Sequence, residues 1–334
     1  MAVLYVVEQG AKLSKQGDVL VVSKDGEELQ RLPAMKVEQV VIFGNISLTT
    51  PVIAHLLQNG IDVVFLSSTG KYHGRLLSPE SKFGELRERQ FAAARDENRR
   101  LAIAKAIVQG KLANQRALLM RYARERTDPE MAATVEGMLK CIEAVDEAGN
   151  MEAVHGLEGR GSGLYFSAFK RILKQDMGFR SRIRRPPTDP VNSLLSFGYT
   201  LLAYALQAAV HVVGLDPYIG FLHTVHYGRP SLALDLMEEF RPVIVDSVVL
   251  KLVNSHMVGP DDFEQPPEAD GAVLIGEEAK RRFLAEYESR VQARVVHPNL
   301  EIQVTYRRCF ELQARHLARV ITGEETRYIP FRIR

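Results

Sequence analysis

The spacing of apolar residues along this chain of 334 residues changes once, near residue 77. Before that point apolar and polar positions alternate with a period of two, which is typical of strands with one buried face. The predicted strands in this part are Val3–Val7, Val19–Ser23, Val37–Phe43 and Ile61–Leu66. Asp25-Gly26 lies between two apolar runs and predicts a tight hairpin. Thr49-Thr50-Pro51 predicts the start of a short helix that ends before Gly60.

Beyond Ser78-Pro79 the apolar residues recur with the 3.6-residue period of amphipathic helices. The predicted helices are Glu85–Gln109, Lys111–Arg126, Pro129–Ala148, Gly163–Gln175, Val191–Val213, Ser231–Ser255, Glu277–Ala293 and Leu300–Thr322. Two segments of loop composition, 178–190 and 257–276, interrupt them. The two patterns together predict an α+β fold, in which a small N-terminal β-rich domain (1–77) is followed by a linker (78–84) and a larger all-α C-terminal domain (85–334).

Composition places the protein among globular proteins. Hydrophobic residues make up 46% of the chain and charged residues 25%, which excludes disordered, collagen-like and disulfide-scaffold architectures. Cys141 and Cys309 have no disulfide or metal-knuckle spacing, as expected for a reducing compartment. No basic segment precedes the first apolar run, so we expect no signal peptide and a cytoplasmic protein.

One apolar stretch, 194–215, is long enough to suggest a membrane span. Polar side chains interrupt it, and no second span follows. These side chains are Ser196, Tyr199, Thr200, Gln207 and His211. The stretch therefore predicts a buried core helix and no membrane partner.

Charge is distributed unevenly. The formal net charge is only +2, yet the segment from Gly159 to Arg185 holds eight Lys or Arg residues and one acid, Asp176. Such a local excess is typical of a surface that contacts nucleic-acid phosphates, although basic residues also occur on ordinary solvated faces. Any contact with a polyanion is therefore expected from this segment.

Glu158 stands among four glycines in the segment 156–163, which we place at the entrance of a helix. Glycines there would allow close backbone approach, and a helix N-terminus would favour an anion. A flexible turn with an exposed Glu is the alternative. The segment lacks the Gly-Lys-Ser/Thr ending of a phosphate-binding loop, and no strand precedes it as in a dinucleotide fold.

Asp235 and Glu238 lie three residues apart on one face of an apolar helix that we expect Ser231 to cap. Burying two carboxylates is costly unless a cation pairs with them. A divalent metal is one solution. A salt bridge to Arg241 or to the basic segment is the other.

His223 could complete an oxygen-rich site with Glu158 and Glu238, of the kind that Mg²⁺ or Mn²⁺ occupies. Zinc held by His223 and His226 is a weaker alternative, because the His-Glu-x-x-His spacing is missing. His226 is instead expected to act behind the ligands or to be structural. A Ser-His-Asp hydrolase is disfavoured, since Gly161-Ser162-Gly163 has the wrong frame for a nucleophile elbow.

Several motifs closely resemble the CRISPR-associated protein one family, the integrases of CRISPR spacer acquisition. They are Gly-Leu-Glu-Gly at 156–159, Phe-Leu-His at 221–223, the run from Ser231 to Pro242, the segment 185–195 and Ile-Val-Asp at 244–246. The resemblance covers nearly the whole chain, in the order and at the distances found in that family.

The resemblance implies that Glu158, His223 and Glu238 are the catalytic residues and hold a divalent metal, Mg²⁺ or Mn²⁺. Some members have Asp where Glu238 stands, a change that keeps the ligand chemistry. Asp235 matches a further acid of the motif and is expected, like His226, to support the ligands from behind. The expected reaction is attack of a prespacer 3′-hydroxyl on a phosphodiester at the edge of the CRISPR repeat; with water as nucleophile, the same chemistry cuts DNA.

The resemblance also implies partners. These are double-stranded DNA, a homodimer built through the strand domain, and a dimer of CRISPR-associated protein two that bridges two such homodimers. The arginines expected to neutralise DNA phosphates are Arg160, Arg180, Arg182, Arg184 and Arg185. Two other functions share these features: a stand-alone metal-dependent repair nuclease, and a DNA-binding scaffold without catalysis.

Overall fold

A computed structural model describes residues 2–68, 72–76, 83–123, 128–267 and 270–333. The chain forms two compact units, Met1–Ser81 and Lys82–Arg334. The boundary between the units falls inside the predicted linker 78–84, of which only residues 83 and 84 belong to the described residues.

In its described residues, the N-terminal unit contains two four-stranded sheets and one α-helix. The first sheet has the order β1 (Ala2–Val6), β5 (Val37–Phe43), β7 (Asp62–Leu66) and β8 (Tyr72–Leu76). Its first three strands are parallel, and β8 is antiparallel to β7. The second sheet has the order β4 (Glu27–Pro33), β3 (Val19–Lys24), β2 (Lys12–Gln16) and β6 (Ser47–Leu48). The helix is α1 (Thr50–Gln58).

The predicted local signals of this unit are confirmed. Asp25 and Gly26 both have positive φ and join β3 to β4, as a two-residue hairpin requires. The Thr49 hydroxyl accepts a hydrogen bond from Val52 N and caps α1. Apolar side chains of both sheets and α1 form one buried cluster that includes Leu4, Leu13, Val40, Leu56 and Val63. This cluster holds the unit together.

The second unit is mostly helical, as predicted. Its helices are α2 (Gly84–Arg95), α3 (Glu97–Ala123), α4 (Pro129–Glu147), α5 (Met151–Ile172), α6 (Pro190–Val213), α7 (Ser231–Arg241), α8 (Ser247–Asn254), α9 (Glu277–Gln292) and α10 (Tyr306–Thr322). Short strands pair as β9 (Phe263–Glu264) with β10 (Leu274–Ile275), and β11 (Arg294–Val296) with β12 (Gln303–Thr305). The β11–β12 hairpin occupies part of the segment predicted to be the start of the last helix.

Three further helix boundaries in the second unit differ clearly from the sequence prediction. The break between α2 and α3 lies at Asp96, whose carboxylate accepts hydrogen bonds from Asn98 N and Arg99 N, and not at Gly110. The glycine-rich segment 156–163 is the interior of α5, which begins after its cap Asn150. A π-helical turn at Pro242–Asp246 separates α7 from α8. Pro242 follows the last residue of α7 and interrupts the hydrogen-bond ladder there.

Helix α6 is the apolar stretch noted in the sequence. It is the one described helix long and apolar enough to cross a membrane, and 67% of its most apolar 18-residue window is buried inside the protein. It packs against α7 and α10. The prediction of a core helix is confirmed.

Close packing around α6 depends on Gly198. A Cβ atom there would lie 2.5 Å from Val245 Cγ1 and 2.7 Å from Phe283 Cζ. We expect Gly198→Ala to lower the free energy of unfolding by about 1–3 kcal/mol, because overpacking forces neighbouring side chains out of position. Urea denaturation measures this change.

Gly156→Ala is the matched control, since a Cβ at that helical position meets no atom within 4 Å. It is expected to raise the free energy of unfolding by about 0.5–1 kcal/mol, the usual gain from Gly to Ala in a helix. Equal effects of the two substitutions would contradict the packing account.

Candidate active site

Helices α3 and α5 approach each other closely where Gly161 faces Leu112. A Cβ on Gly161 would lie 2.5 Å from Leu112 Cδ2, so only glycine permits this separation. The approach brings Lys111 of α3 against Glu158 of α5, and the two side chains form an ion pair. Ser162 Oγ donates a second hydrogen bond to the same Glu158 oxygen at 3.0 Å.

Asp235, at the centre of α7, holds the loop that carries His223. Its carboxylate accepts hydrogen bonds from Phe221 N (2.6 Å), Leu222 N (3.0 Å) and His223 N (2.9 Å), and it lies 2.7 Å from His223 Nδ1. Gly220 permits this arrangement, because a Cβ there would lie 2.7 Å from Asp235 Oδ2. The bond to Nδ1 fixes the ring so that Nε2 is left for a ligand role.

Glu238, one turn further along α7, is 3% exposed and lies among positive charges. Its Oε1 is 3.1 Å from Arg241 Nη2 and 3.9 Å from His223 Nε2. Its Oε2 is 2.7 Å from Lys111 Nζ, but it lacks the alignment of a hydrogen bond there. The three predicted ligands are therefore connected: Lys111 joins Glu158 to Glu238, and Glu238 lies next to His223.

Lys111 is the residue of this site that sequence reasoning missed. Its ammonium group contacts both Glu158 and Glu238, and the residue is only 5% exposed. With Lys111 between the carboxylates, no group of three His, Cys, Asp or Glu side chains among the described residues is arranged to hold a metal ion. One signal was available in the sequence: Lys111 lies on the same face of α3 as the buried residues Ile107 and Val108.

The pKa values of the two glutamates reflect these contacts. Burial, with the nearby Glu238 charge, raises the pKa of the Glu158 carboxyl, but the charge of Lys111 and the hydrogen bonds from Lys111 and Ser162 together outweigh this, so the net direction is down. Burial also raises the pKa of Glu238, but the positive charges around it have the larger effect. The charges of Arg241, Lys111 and His223 hold this pKa well below the usual range. Both carboxylates are ionised at neutral pH, as cation ligands must be.

Glu239 is adjacent in sequence but points elsewhere. Its carboxylate accepts hydrogen bonds from Tyr328 Oη (2.6 Å), Gln313 Nε2 (3.0 Å) and Phe331 N (2.7 Å), all from α10 or the C-terminal segment. Burial raises its pKa to about 7, although these hydrogen bonds lower it. Glu239 therefore anchors the C-terminal segment to α7.

A second buried network lies on the other side of Arg241. Asp246 accepts hydrogen bonds from Tyr165 Oη (2.7 Å) and Tyr199 Oη (2.5 Å). The guanidinium groups of Arg182 and Arg241 both stack over the Tyr199 ring. Burial raises the pKa of Asp246 to about 6, against the lowering effect of the tyrosines and arginines.

This network predicts a pH dependence of stability. The folded-state pKa of Asp246 is above its ordinary value of 3.8, so the native state holds the proton more tightly than the unfolded chain. The contribution of Asp246 to the free energy of unfolding therefore falls as pH rises from about 4 to about 6. Asp246→Asn should remove that part of the pH dependence. Urea denaturation of both proteins between pH 4 and 7 tests this, and parallel curves would contradict it.

The predicted DNA-contacting arginines divide into two groups. Arg160, Arg180, Arg184 and Arg185 are exposed. Arg182 is instead directed into the protein: it donates to Asn192 Oδ1 at 2.8 Å and Ser196 Oγ at 3.1 Å. Arg182 therefore belongs to the network around Tyr199 and Asp246, contrary to the expectation that it contacts DNA phosphates.

Two further expectations for the loop before α7 differ from the structure. Ser231 does not cap α7; it is the first helical residue, and its hydroxyl donates to Thr224 O at 3.0 Å. The His226 side chain is exposed, and within the described residues its ring makes no hydrogen bond or ion pair with the three predicted ligands. The predicted supporting role of His226 is therefore not accompanied by a contact with the ligands. Asp235, the other residue predicted to support them, does contact His223.

A cavity of about 520 Å³ opens beside His223. Its walls include Phe91, Arg95 and Arg100 from α2 and α3, together with Gly220 and Val225 from the loop. Phe91 is 39% exposed, so its ring face is available. An exposed aromatic ring with two arginines is the surface chemistry that binds single-stranded nucleic acid, and sequence reasoning did not select these residues.

Comparison with known sequences decides the family. The family described as CRISPR associated protein Cas1 matches residues 4–289. A Thermus thermophilus protein named "CRISPR-associated endonuclease Cas1 3" is 43% identical over 336 residues, covering 100% of this chain and 98% of its own length. The chain belongs to the Cas1 family. The resemblance found in the sequence is thereby confirmed, with the α+β architecture that it implied.

Solved structures agree with this assignment. A Cas1 protein from Thermotoga maritima superposes with a TM-score of 0.84 at 25% identity, covering 98% of this chain and 99% of its own. A casposase bound to an integration product gives 0.83 at 26% identity, with coverage of 97% and 92%. A chain of a Cas6-RT-Cas1–Cas2 complex gives 0.83 at 25% identity, covering 99% of this chain and 36% of its own.

The residues of this Cas1 protein fit the divalent metal that the family resemblance implies. A buried carboxylate oxygen of Glu238 has no aligned hydrogen bond, and the Lys111 ammonium already occupies the space between Glu158 and Glu238 as a monovalent cation. Two ionised carboxylates and an imidazole Nε2 form a donor set typical of Mg²⁺ or Mn²⁺. The ligand assignment itself stays a prediction.

Proposed function

We propose that this Cas1 protein is a metal-dependent DNA endonuclease and integrase, which joins prespacer 3′ ends to the CRISPR repeat. The main support is the arrangement of the predicted ligands: Lys111 contacts both Glu158 and Glu238, and His223 Nε2 lies 3.9 Å from Glu238 Oε1. Four exposed arginines add a basic surface. The names of its relatives support nuclease activity, and the likeness to a casposase bound to an integration product supports joining.

Each residue has a distinct part in this proposal. Glu158 and Glu238 supply the negative charge that holds the ion. Asp235 fixes His223 through Nδ1, so that Nε2 is free to act as ligand or to accept a proton. Mg²⁺ or Mn²⁺ at this position would supply polarisation of the phosphate and stabilisation of the charge that develops on it.

The DNA is proposed to run from the basic surface to the cavity beside His223. Arg160, Arg180, Arg184 and Arg185 would contact backbone phosphates, and Phe91 with Arg95 would hold an unpaired end. Contacts of this kind would let a chain with a net charge of only +2 bind DNA.

The partners are proposed on the same basis. Met35 (84% exposed) and Leu29 (50% exposed) leave apolar surface on the N-terminal unit, which supports a homodimer built through this unit. The likeness to a chain of a Cas1–Cas2 complex supports a Cas2 dimer that bridges two such homodimers. A cytoplasmic location is part of the same proposal, and the two free cysteines, Cys141 and Cys309, support it.

The decisive experiment is strand transfer of a labelled prespacer duplex into a supercoiled plasmid that carries a CRISPR repeat. Wild type and Glu158→Ala are compared with and without Mn²⁺ and with and without Cas2. We expect joining that requires the metal, Cas2 and Glu158. Metal-dependent cutting without joining would show a stand-alone nuclease. DNA binding without either activity would show a scaffold.

Arg184 and Arg182 form a matched pair for testing the basic surface. Arg184→Ala is expected to weaken DNA binding and to reduce the slope of log affinity against log salt by about 1, with unfolding unchanged. Arg182→Ala is expected to lower the free energy of unfolding by about 1–3 kcal/mol, because Asn192 and Ser196 lose their donor. Fluorescence anisotropy across a salt series and urea denaturation measure the two effects. An unchanged salt slope in Arg184→Ala would exclude it as a phosphate contact.

A further inference from the structure

Lys111 is a buried ammonium group with two carboxylate partners. It projects from α3 to Glu158 on α5 and to Glu238 on α7, so that it links the three helices that form the site. Its side chain is 6% exposed, and an unpaired ammonium at that depth would be strongly unfavourable. The two glutamates are therefore held in position by Lys111 when no ion is bound.

A divalent ion coordinated by Glu158 and Glu238 competes with Lys111 for the negative charge of the same two carboxylates. Lys111 contacts Glu158 Oε1 and Glu238 Oε2, and among the described residues no three acidic, His or Cys side chains are arranged around a common point while it is there. An ion held between the two carboxylates would lie close to the Lys111 ammonium group and would be repelled by it. The ammonium group is therefore expected to move away when an ion binds there.

We propose that Lys111 is an internal competitor of the divalent ion, which keeps the ion-free site assembled and is displaced when the ion binds. This inference rests on the proposed function, because it assumes the metal site described there. Lys111 acts through the ligands and is a positioning residue.

The displaced ammonium needs a new anion. DNA supplies one, since the scissile phosphate must lie against the same ligands during the reaction. Ion binding and DNA binding are thus coupled, because DNA provides an anion for the ammonium group that the ion displaces. The coupling is reciprocal: DNA raises the affinity for the ion, and the ion raises the affinity for DNA. The protein retains the ion firmly only when DNA is present.

The first test is Mn²⁺ binding without DNA, followed at constant pH through the electron paramagnetic resonance signal of free Mn²⁺. Lys111→Met should bind Mn²⁺ at least about tenfold more tightly than wild type, because the competitor is gone. Lys111→Arg keeps the positive charge, so its Mn²⁺ binding should remain as weak as that of wild type. Lys105→Met, on the same helix but bonded to Asp146 O, should match wild type. Equal or weaker Mn²⁺ binding by Lys111→Met would overturn the proposal.

The second test adds a DNA duplex with 3′-dideoxy ends, which cannot be joined. In wild type the duplex should raise Mn²⁺ affinity, and in Lys111→Met it should raise it much less. An equal rise in both proteins would overturn the coupling. If neither wild type nor any variant binds Mn²⁺, the metal site fails, and the proposed function fails with it. If Mn²⁺ binds with the same affinity to wild type and Lys111→Met, the role of Lys111 is wrong but the proposed function is unaffected.

A measurement on wild type covers the case in which Lys111→Met does not fold. Reductive methylation followed by mass spectrometry reports the accessibility of each lysine. Lys111 should be protected without Mn²⁺ and become reactive in excess Mn²⁺, whereas the exposed Lys140 should react in both. Protection of Lys111 that Mn²⁺ does not change would overturn the displacement.

Discussion

Glu238→Gln is expected to lower both joining and cutting of DNA about 1000-fold or more. The substitution keeps the size of the side chain but removes the charge that holds the ion, and loss of even one group that stabilises developing charge costs about 100- to 1000-fold. The remaining contacts of Glu238 with Lys111 and Arg241 are also weakened. Single-turnover strand transfer in Mn²⁺ with Cas2 measures the effect.

Glu239→Gln is the matched control for that substitution. Burial already raises the pKa of Glu239 to about 7, so a neutral side chain is tolerated at this position. An amide keeps one oxygen for Gln313 and Phe331, and its nitrogen can donate to Tyr328 Oη. Joining should stay within a few-fold of wild type. Equal losses in the two variants would show that the effect comes from disturbance of α7 rather than from a lost ligand.

Asp235→Ala is expected to lower the free energy of unfolding by about 3–5 kcal/mol, the range for removing one member of a buried charged network. Asp235 is fully buried and accepts hydrogen bonds from three consecutive backbone N–H groups, Phe221 to His223, besides its contact with His223 Nδ1. Without it, buried donors are left unpaired. Urea denaturation measures the loss, and joining should disappear even at temperatures where the variant is folded.

Asp216→Ala provides the comparison for Asp235→Ala. Asp216 lies on the same connection between α6 and α7, but it is half-buried and its carboxylate accepts from Tyr218 N alone among the described contacts. Its removal should cost at most about 1 kcal/mol and leave joining intact. A loss at Asp216 as large as that at Asp235 would indicate that the connection itself, and not the anchored His223 loop, sets the stability.

Much of the N-terminal unit was predictable because its signals are local. The hairpin at Asp25-Gly26 needs positive φ at both residues, and the helix α1 needs a hydroxyl cap at Thr49; both requirements are met by residues next to the element they define. The same holds for the core helix α6, whose length and polar interruptions are visible in the sequence. The candidate ligands came from motifs within short segments, which the family resemblance connected.

Most of the wrong helix boundaries involve glycine. Its backbone preference favours turns and helix ends, whereas here glycine lies inside helices that pack closely against a neighbour. The segment 156–163 was expected to be a helix entrance or a turn, yet it is the interior of α5. Gly110 was expected to separate two helices, yet it lies within α3, where a Cβ would be 2.5 Å from Pro330 Cβ. In both helices these glycines make room for a neighbour, Leu112 against Gly161 and Pro330 against Gly110.

The amino-acid sequence was enough to predict the two-part architecture, the family, and the acidic and imidazole side chains of the candidate site, with Glu238 among them. That Arg182 is directed into the protein, and that Lys111 stands between Glu158 and Glu238, became visible only in the folded structure. The physical reason is distance along the chain: Lys111 and Glu158 are 47 residues apart, and no local pattern records a contact made by helix packing.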